Sequence, residues 1–277
     1  MSYYRDLKAR GEGGRPLAFV YKSDDQSPLY NYVLSPFARA CVEAFIPPWM
    51  APNTITTIGL AAQVVALIAV LATSANGPPP PWVAVLAGVC LFAYQTLDNM
   101  DGKQARRTGT STALGLLFDH GLDAINAGLV GTTIFTLVTG AGYDTWRPYA
   151  SWTIATTTFF LNTWEDYHIG KFILGPINGP DDGLTAMSLL FVAVGVWGPG
   201  FLHAPLPANP LFTALTTLAT PAKQLIWWLR GVAVDAPIDS CLDLMLLAFI
   251  TAMLVTCAAN TARVLIYYRG EVASRVA

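Results

Sequence analysis

Charge is missing from long stretches of this chain, and that spacing limits its possible folds more than any other feature. No Asp, Glu, Lys or Arg occurs between Glu43 and Asp98, and further charge-free runs cover 124–143, 148–164, 184–222 and 244–262. A helix crossing a bilayer needs roughly 20 mostly apolar residues, so these runs read as membrane spans. Over the 277 residues, 53% are hydrophobic and only 12% charged, about half the charged share of a soluble domain. An ordinary soluble domain is thereby excluded. A net charge of −2 with no basic stripe also excludes a nucleic-acid binder.

The longest run divides at Asn76-Gly77-Pro78-Pro79-Pro80-Pro81, a segment no helix crosses. Spans are expected at 54–73, 82–100, 117–140, 148–166, 184–202 and 241–268, an all-α polytopic helix bundle. Residues 203–240 hold five prolines; within them, 211–229 reads as a re-entrant or interfacial helix or part of an additional span. Lys and Arg divide thirteen to three between alternate sides, which predicts a cytosolic N-terminus and a cytosolic 98–123 segment. Residues 1–39 are polar and basic without an apolar core and cleavage site, so the first span is expected to target the chain to the membrane. Before it, Leu29, Tyr32, Val33, Phe37, Ala40, Cys41, Ala44 and Phe45 recur at helical spacing. That stripe fits an amphipathic helix on the membrane surface, or a short helix packed on the bundle. The expected division is a cytosolic N-terminal segment (1–50), a six-span membrane domain (51–270) and a cytosolic tail (271–277). The four cysteines form no CxxC pair and no metal-ligand spacing with the three histidines, so they read as small hydrophobes.

The chemistry concentrates in one segment. Asp98 and Asp101 are three residues apart and share a helix face at the cytosolic end of the second span. Asp119 and Asp123 are four apart and share a face at the start of the third. A short turn between the two helices would bring the pairs together. Four carboxylates at one place repel one another unless a cation lies among them. Mg²⁺ is commonly held by a few carboxylates plus substrate phosphates, and two such ions suit in-line displacement at phosphorus. Gly102 and Ala105 leave room for a planar group or phosphate, Gly115 lets the third helix come close, and Arg106 offers a planar charged fork.

The pattern Asp98-x2-Asp101-Gly102-x2-Ala105-Arg106-x8-Gly115-x3-Asp119-x3-Asp123 resembles the signature of the CDP-alcohol phosphotransferase family. By that resemblance, Asp98, Asp101, Asp119 and Asp123 bind two divalent ions, Mg²⁺ or Mn²⁺, and Gly102, Ala105, Arg106 and Gly115 line the nucleotide site. The blocks 101–108 and 114–121, and Ala51-Pro52-Asn53-x-Ile55-Thr56, are similar to the eukaryotic choline and ethanolamine phosphotransferase branch, which adds Asn53 as a nucleotide contact. So is the block from Trp164 to Gly183, where Asp182 stands in place of that branch's usual glutamate. The resemblance covers residues 28–270. Members of the branch continue for several spans beyond the sixth; the core motif is complete here, so the chemistry is expected to survive.

The resemblance implies transfer of phosphocholine or phosphoethanolamine from CDP-choline or CDP-ethanolamine to diacylglycerol, with release of CMP. It also implies a homodimer in the endoplasmic reticulum or Golgi membrane. The lipid hydroxyl must lose a proton, and His120, Asp123 and Asp182 are the candidate acceptors, with His120 assisted by Asp182 favoured and Asp123 first a metal ligand. A phosphatidylinositol synthase would want more basic residues than the single Lys171 in the 166–183 turn. An intramembrane prenyltransferase would use Asp98-x2-Asp101 but does not predict the Gly, Ala and Arg positions. A transporter would place acids near mid-span. Tyr94, Trp164 and Tyr167 are candidates for an aromatic cage around a quaternary ammonium, and Glu165, Asp166 and His168 form a second polar cluster with no catalytic role assigned.

Overall fold

The computed structural model describes residues 22–74, 78–138, 146–205, 214, 217 and 240–276. A wide helical turn (Tyr30–Leu34) leads directly into α1 (Ser35–Phe45). Helices α2 (Pro52–Ser74), α3 (Pro81–Thr108), α4 (Ala113–Leu137), α5 (Trp146–Ile169) and α6 (Leu184–Trp197) follow. The short α7 (Gly200–His203) and the long α8 (Cys241–Val276) complete the described helices. Each expected span overlaps a helix, but the one expected at 184–202 is divided at Gly198 and Pro199 into α6 and α7, and residues 139–140 of the third lie outside the described residues. The helix expected at 211–229 lies outside the described residues, apart from Ala214 and Thr217.

Local chemistry sets the boundaries. Pro52 and Pro81 open α2 and α3, where a missing N–H leaves no bond unmade. Gly109 ends α3 in the left-handed region at φ 67°, which only glycine adopts without strain. The Thr112 side chain then caps α4 by accepting the Gly115 N–H at 3.0 Å. This four-residue turn, 109–112, joins the two aspartate-bearing helices.

Among the described residues, three helices are long and apolar enough to cross a membrane: α2, α3 and α8 over Cys241–Gly270. The other expected spans miss that description for physical reasons. Helix α4 carries Asp119, His120, Asp123 and Asn126, helix α5 carries Glu165, Asp166 and His168, and α6 has 14 residues before Gly198. The chain is an all-α membrane protein. Its outward surface includes Val65, Ile68, Leu189, Val196, Val255 and Ile266, each more than half exposed, as a lipid-facing surface would be.

Helix α3 is central, packed between α2 and α6, while α4 packs on α2 and α5, and α8 on α5. The main core joins Val70 of α2, Val83 and Leu91 of α3, Val130 of α4, Phe191 of α6 and Leu246 of α8. Small residues let α3 and α6 approach closely: a Cβ on Gly88 would stand 2.6 Å from the Ser188 carbonyl oxygen, and one on Gly195 2.7 Å from that of Pro81. Helix α1 buries Ala38 and Val42 against Ile55 and Met100. Tyr32 and Val33 of the preceding turn and Phe37 and Phe45 of α1 stay exposed, and all four are members of the apolar stripe read from the sequence. Finally, β1 (Ser23–Asp25) pairs in parallel with β2 (Phe172–Leu174), tying the N-terminal segment to the loop between α5 and α6.

Candidate active site

Helices α3 and α4 make little direct contact with each other, and the space between them belongs to a cavity of about 760 Å³. One end is polar: Asp98, Asp101, Asp119, Asp123, Arg106 and Asn53 line it. The other end lies among α4, α6 and α8 and is lined by apolar residues including Val130, Ile134, Met187, Leu190, Leu246 and Phe249.

The carboxylates converge as the i,i+3 and i,i+4 spacings require. Single oxygens of Asp98, Asp119 and Asp123 all lie within 4.8 Å of one another. Asp101 joins them by facing Asp119, while its Oδ2 accepts the Thr56 hydroxyl at 2.5 Å. Asp123 Oδ1 accepts the Tyr94 hydroxyl at 2.5 Å. Asp98 Oδ1 and Asp119 Oδ1 are buried with no donor. Anionic oxygens turned toward each other without a donor are unfavourable, and a divalent cation with oxygen preference removes that penalty. The residues therefore fit a divalent-metal site.

The expected nucleotide residues border the same space. The guanidinium of Arg106 lies over Gly102, with Nη1 3.4 Å from where a Cβ would stand. A Cβ on Gly115 would sit 3.8 Å from Asn53 Oδ1, so the starts of α2 and α4 meet there. Ala105 completes the wall. His120 also lines the cavity, its ring packed against Phe172 of β2 with centroids 5.4 Å apart.

Other expected residues make contacts different from those expected. Asp182 turns back on its own loop, where Oδ2 accepts the Asn178 N–H at 3.0 Å, and the cavity is lined by Asp181 instead. Tyr94 uses its hydroxyl on Asp123, and Trp164 and Tyr167 surround the His168 ring rather than the cavity. Glu165 is 1% exposed and pairs with both Nε and Nη2 of Arg263, which joins Asn162 and Asn260 in a buried network between α5 and α8. This second polar cluster is a helix clamp. Thr56, Tyr94 and Gln95 were readable as neighbours of the motif, since Tyr94 and Gln95 precede Asp98 by four and three residues. Nothing in the sequence pointed to Asp25.

Fold and site together define a membrane helix bundle with a buried carboxylate cluster beside a two-ended cavity. Residues 49–234 match the CDP-alcohol phosphatidyltransferase family. The chain belongs to that family. It is 39% identical to cholinephosphotransferase 1 of Saccharomyces cerevisiae over 186 residues, which is 65% of this chain and 46% of that one. It is 41% identical to choline/ethanolaminephosphotransferase 1 of Arabidopsis thaliana over 177 residues, 63% of this chain and 43% of the relative. With ethanolaminephosphotransferase 1 of Mus musculus it shares 33% identity over 209 residues, 72% of this chain and 52% of the relative. The chain thus spans about half the length of the curated relatives it matches.

Proposed function

We propose that the protein transfers phosphoethanolamine or phosphocholine from its CDP derivative to diacylglycerol, releasing CMP. The observation that carries this reading is the two-ended cavity. A charged, water-soluble donor and a lipid hydroxyl must meet at one point, and here an aspartate cluster opens into a space walled by apolar side chains. The names of the relatives supply the substrate class.

In this reading Asp98, Asp101, Asp119 and Asp123 hold two divalent ions, Mg²⁺ or Mn²⁺, which when bound offset pyrophosphate charge and stabilise the departing CMP. Gly102, Ala105, Arg106, Gly115 and Asn53 bind the nucleotide and orient its phosphates. The acceptor oxygen bonds to the phosphorus that carries the amino alcohol, and the phosphorus–oxygen bond to CMP breaks. A ring nitrogen of His120 receives the hydroxyl proton, with the imidazole held in place by Phe172. Asp182 remains the candidate for the assisting role, with its Oδ2 accepting the Asn178 N–H. Six spans, a cytosolic N-terminus and active site, an endoplasmic reticulum or Golgi membrane, an interfacial α1 and a homodimer belong to the same proposal. The outward apolar face of α1 supports its interfacial placement.

The test is CMP release by the purified protein with diacylglycerol and either CDP-ethanolamine or CDP-choline, with and without Mg²⁺ or Mn²⁺. Metal-dependent release is expected; no release with either donor overturns the reading. His120→Ala separately tests the proton acceptor: unchanged turnover at saturating donor and metal removes it.

A further inference from the structure

The turn Gly179–Gly183 borders the polar end of the cavity and is held rigidly. Buried Gln95 of α3 donates to the carbonyl oxygens of Pro180 at 2.8 Å and Asp181 at 2.7 Å, and accepts the Thr185 hydroxyl at 3.0 Å. The Asn178 side chain accepts the Asp181 N–H at 2.8 Å. Against this satisfied backbone, one group stands out. Asp181 is 3% exposed, lines the cavity, and its Oδ2 has no donor.

Asp25 of β1 faces it. The Asp25 Oδ1 accepts the Ser27 N–H at 2.9 Å and Asn178 Nδ2 at 3.4 Å, which fixes the second carboxylate in place. Among the described residues, no ion pair reaches either acid. Burial first, and Asp25 second, push the Asp181 carboxyl up to about 8. Tyr30 lines the same wall, and the Lys103 ammonium, 5.4 Å from its ring centroid, takes one face of that ring.

Two facing acids share a proton when nothing lies between them, and a cation entering the pair takes that proton's place at the open buried oxygen. The site differs from the aspartate cluster beside it: it has two acids and an aromatic wall rather than four converging acids. Mg²⁺ demands near-octahedral oxygen ligation, whereas an organic ammonium is satisfied by carboxylates and aromatic faces. We infer that Asp181 and Asp25, with Tyr30 as a wall, form the subsite for the ammonium group of the donor's amino alcohol. This rests on the proposed donor class and adds where its charged end is read. With the phosphates at the aspartate cluster and Arg106, the ammonium at Asp181 stretches the donor along the polar end and leaves the apolar arm for the acceptor.

The test is binding to the 277-residue chain in detergent with Mg²⁺, using CDP-choline, its neutral isostere CDP-3,3-dimethylbutanol, and CDP. The wild type should bind CDP-choline about tenfold or more tightly than the isostere, the range of one charge pair in a buried site. Asp181→Asn and Asp25→Asn should abolish that preference while leaving CDP affinity within about twofold, a scale on which tenfold is 1.4 kcal/mol. Retained CDP binding also shows that the variants fold. Equal binding of the isostere and CDP-choline by the wild type overturns the subsite, as does a variant that weakens all three ligands alike or none. If the wild type binds none of the three, the donor class itself falls and the subsite with it.

Discussion

Thr56 donates its hydroxyl to Asp101 inside the bundle and is itself 1% exposed, so it orients one carboxylate of the cluster from outside it. Partners that orient metal ligands typically account for 10–100-fold in metal affinity or activity. Thr56→Val keeps the shape and removes the donor. It should raise the Mg²⁺ concentration for half-maximal turnover about tenfold with little change in thermal stability, and Thr56→Ser should restore it. At Asp181 the sign of a pH effect follows from its raised carboxyl. The folded protein keeps a proton up to about pH 8 that the unfolded chain releases near about pH 4. Its contribution is present at low pH and is lost as pH rises through that window. Apparent melting temperature of the ligand-free protein should fall between about pH 4 and 8, and Asp181→Asn should flatten the slope. At this scale the sequence was readable where helical periodicity governs. Asp98, Asp101, Asp119 and Asp123 had to converge; oxygens of Asp98, Asp119 and Asp123 do, and Asp101 faces Asp119. The choice between the adjacent Asp181 and Asp182 depends on which one Asn178 draws back into the loop, and no periodicity reports that.

Between elements, the helices were legible because prolines, Gly109 and the charge-free runs mark their ends. The β1–β2 pairing was not. Two three-residue strands carry no usable alternation, and their Lys171–Asp24 salt bridge joins positions 147 residues apart. Nor did the sequence reveal how α3 meets α6. Many glycines occur in membrane helices, and only packing separates the required ones. At Gly88 an added Cβ would meet backbone, the Ser188 carbonyl oxygen and the Val192 nitrogen, which cannot move aside as a side-chain tip can. Gly88→Val should therefore force α3 and α6 apart and lower the melting temperature in detergent, by about 1–3 kcal/mol of stability or more. Gly128 of α4 has nothing within 4 Å of an added Cβ, so Gly128→Ala should be neutral or slightly stabilising, since a helix favours alanine. Equal losses from both variants would remove the close-approach explanation.

For the whole molecule, the same scarcity of charge has two consequences. It commits the outer surface to lipid, and it makes the buried acids conspicuous, so class and carboxylate cluster were both legible. The cavity was not, because it is a property of helices that fail to meet. α3 packs on α2 and α6, α4 on α2 and α5, and the gap left between them runs from the aspartates toward Leu246 and Phe249 of α8. A donor confined to the polar end and a lipid confined to the apolar arm should respond to different substitutions. Ile134 lies on α4 in the apolar arm, three turns beyond Asp123 and remote from the carboxylates along the helix. Ile134→Trp fills that arm without altering charge. It should raise the KM for diacylglycerol severalfold, with a greater effect on longer acyl chains, while CDP-ethanolamine binding stays unchanged. Loss of donor binding in the same variant, with folding intact by melting temperature, would mean that the two substrates do not divide the cavity in this way. Unchanged diacylglycerol kinetics would place the acceptor outside the arm and leave the aspartate cluster to be reached from another side.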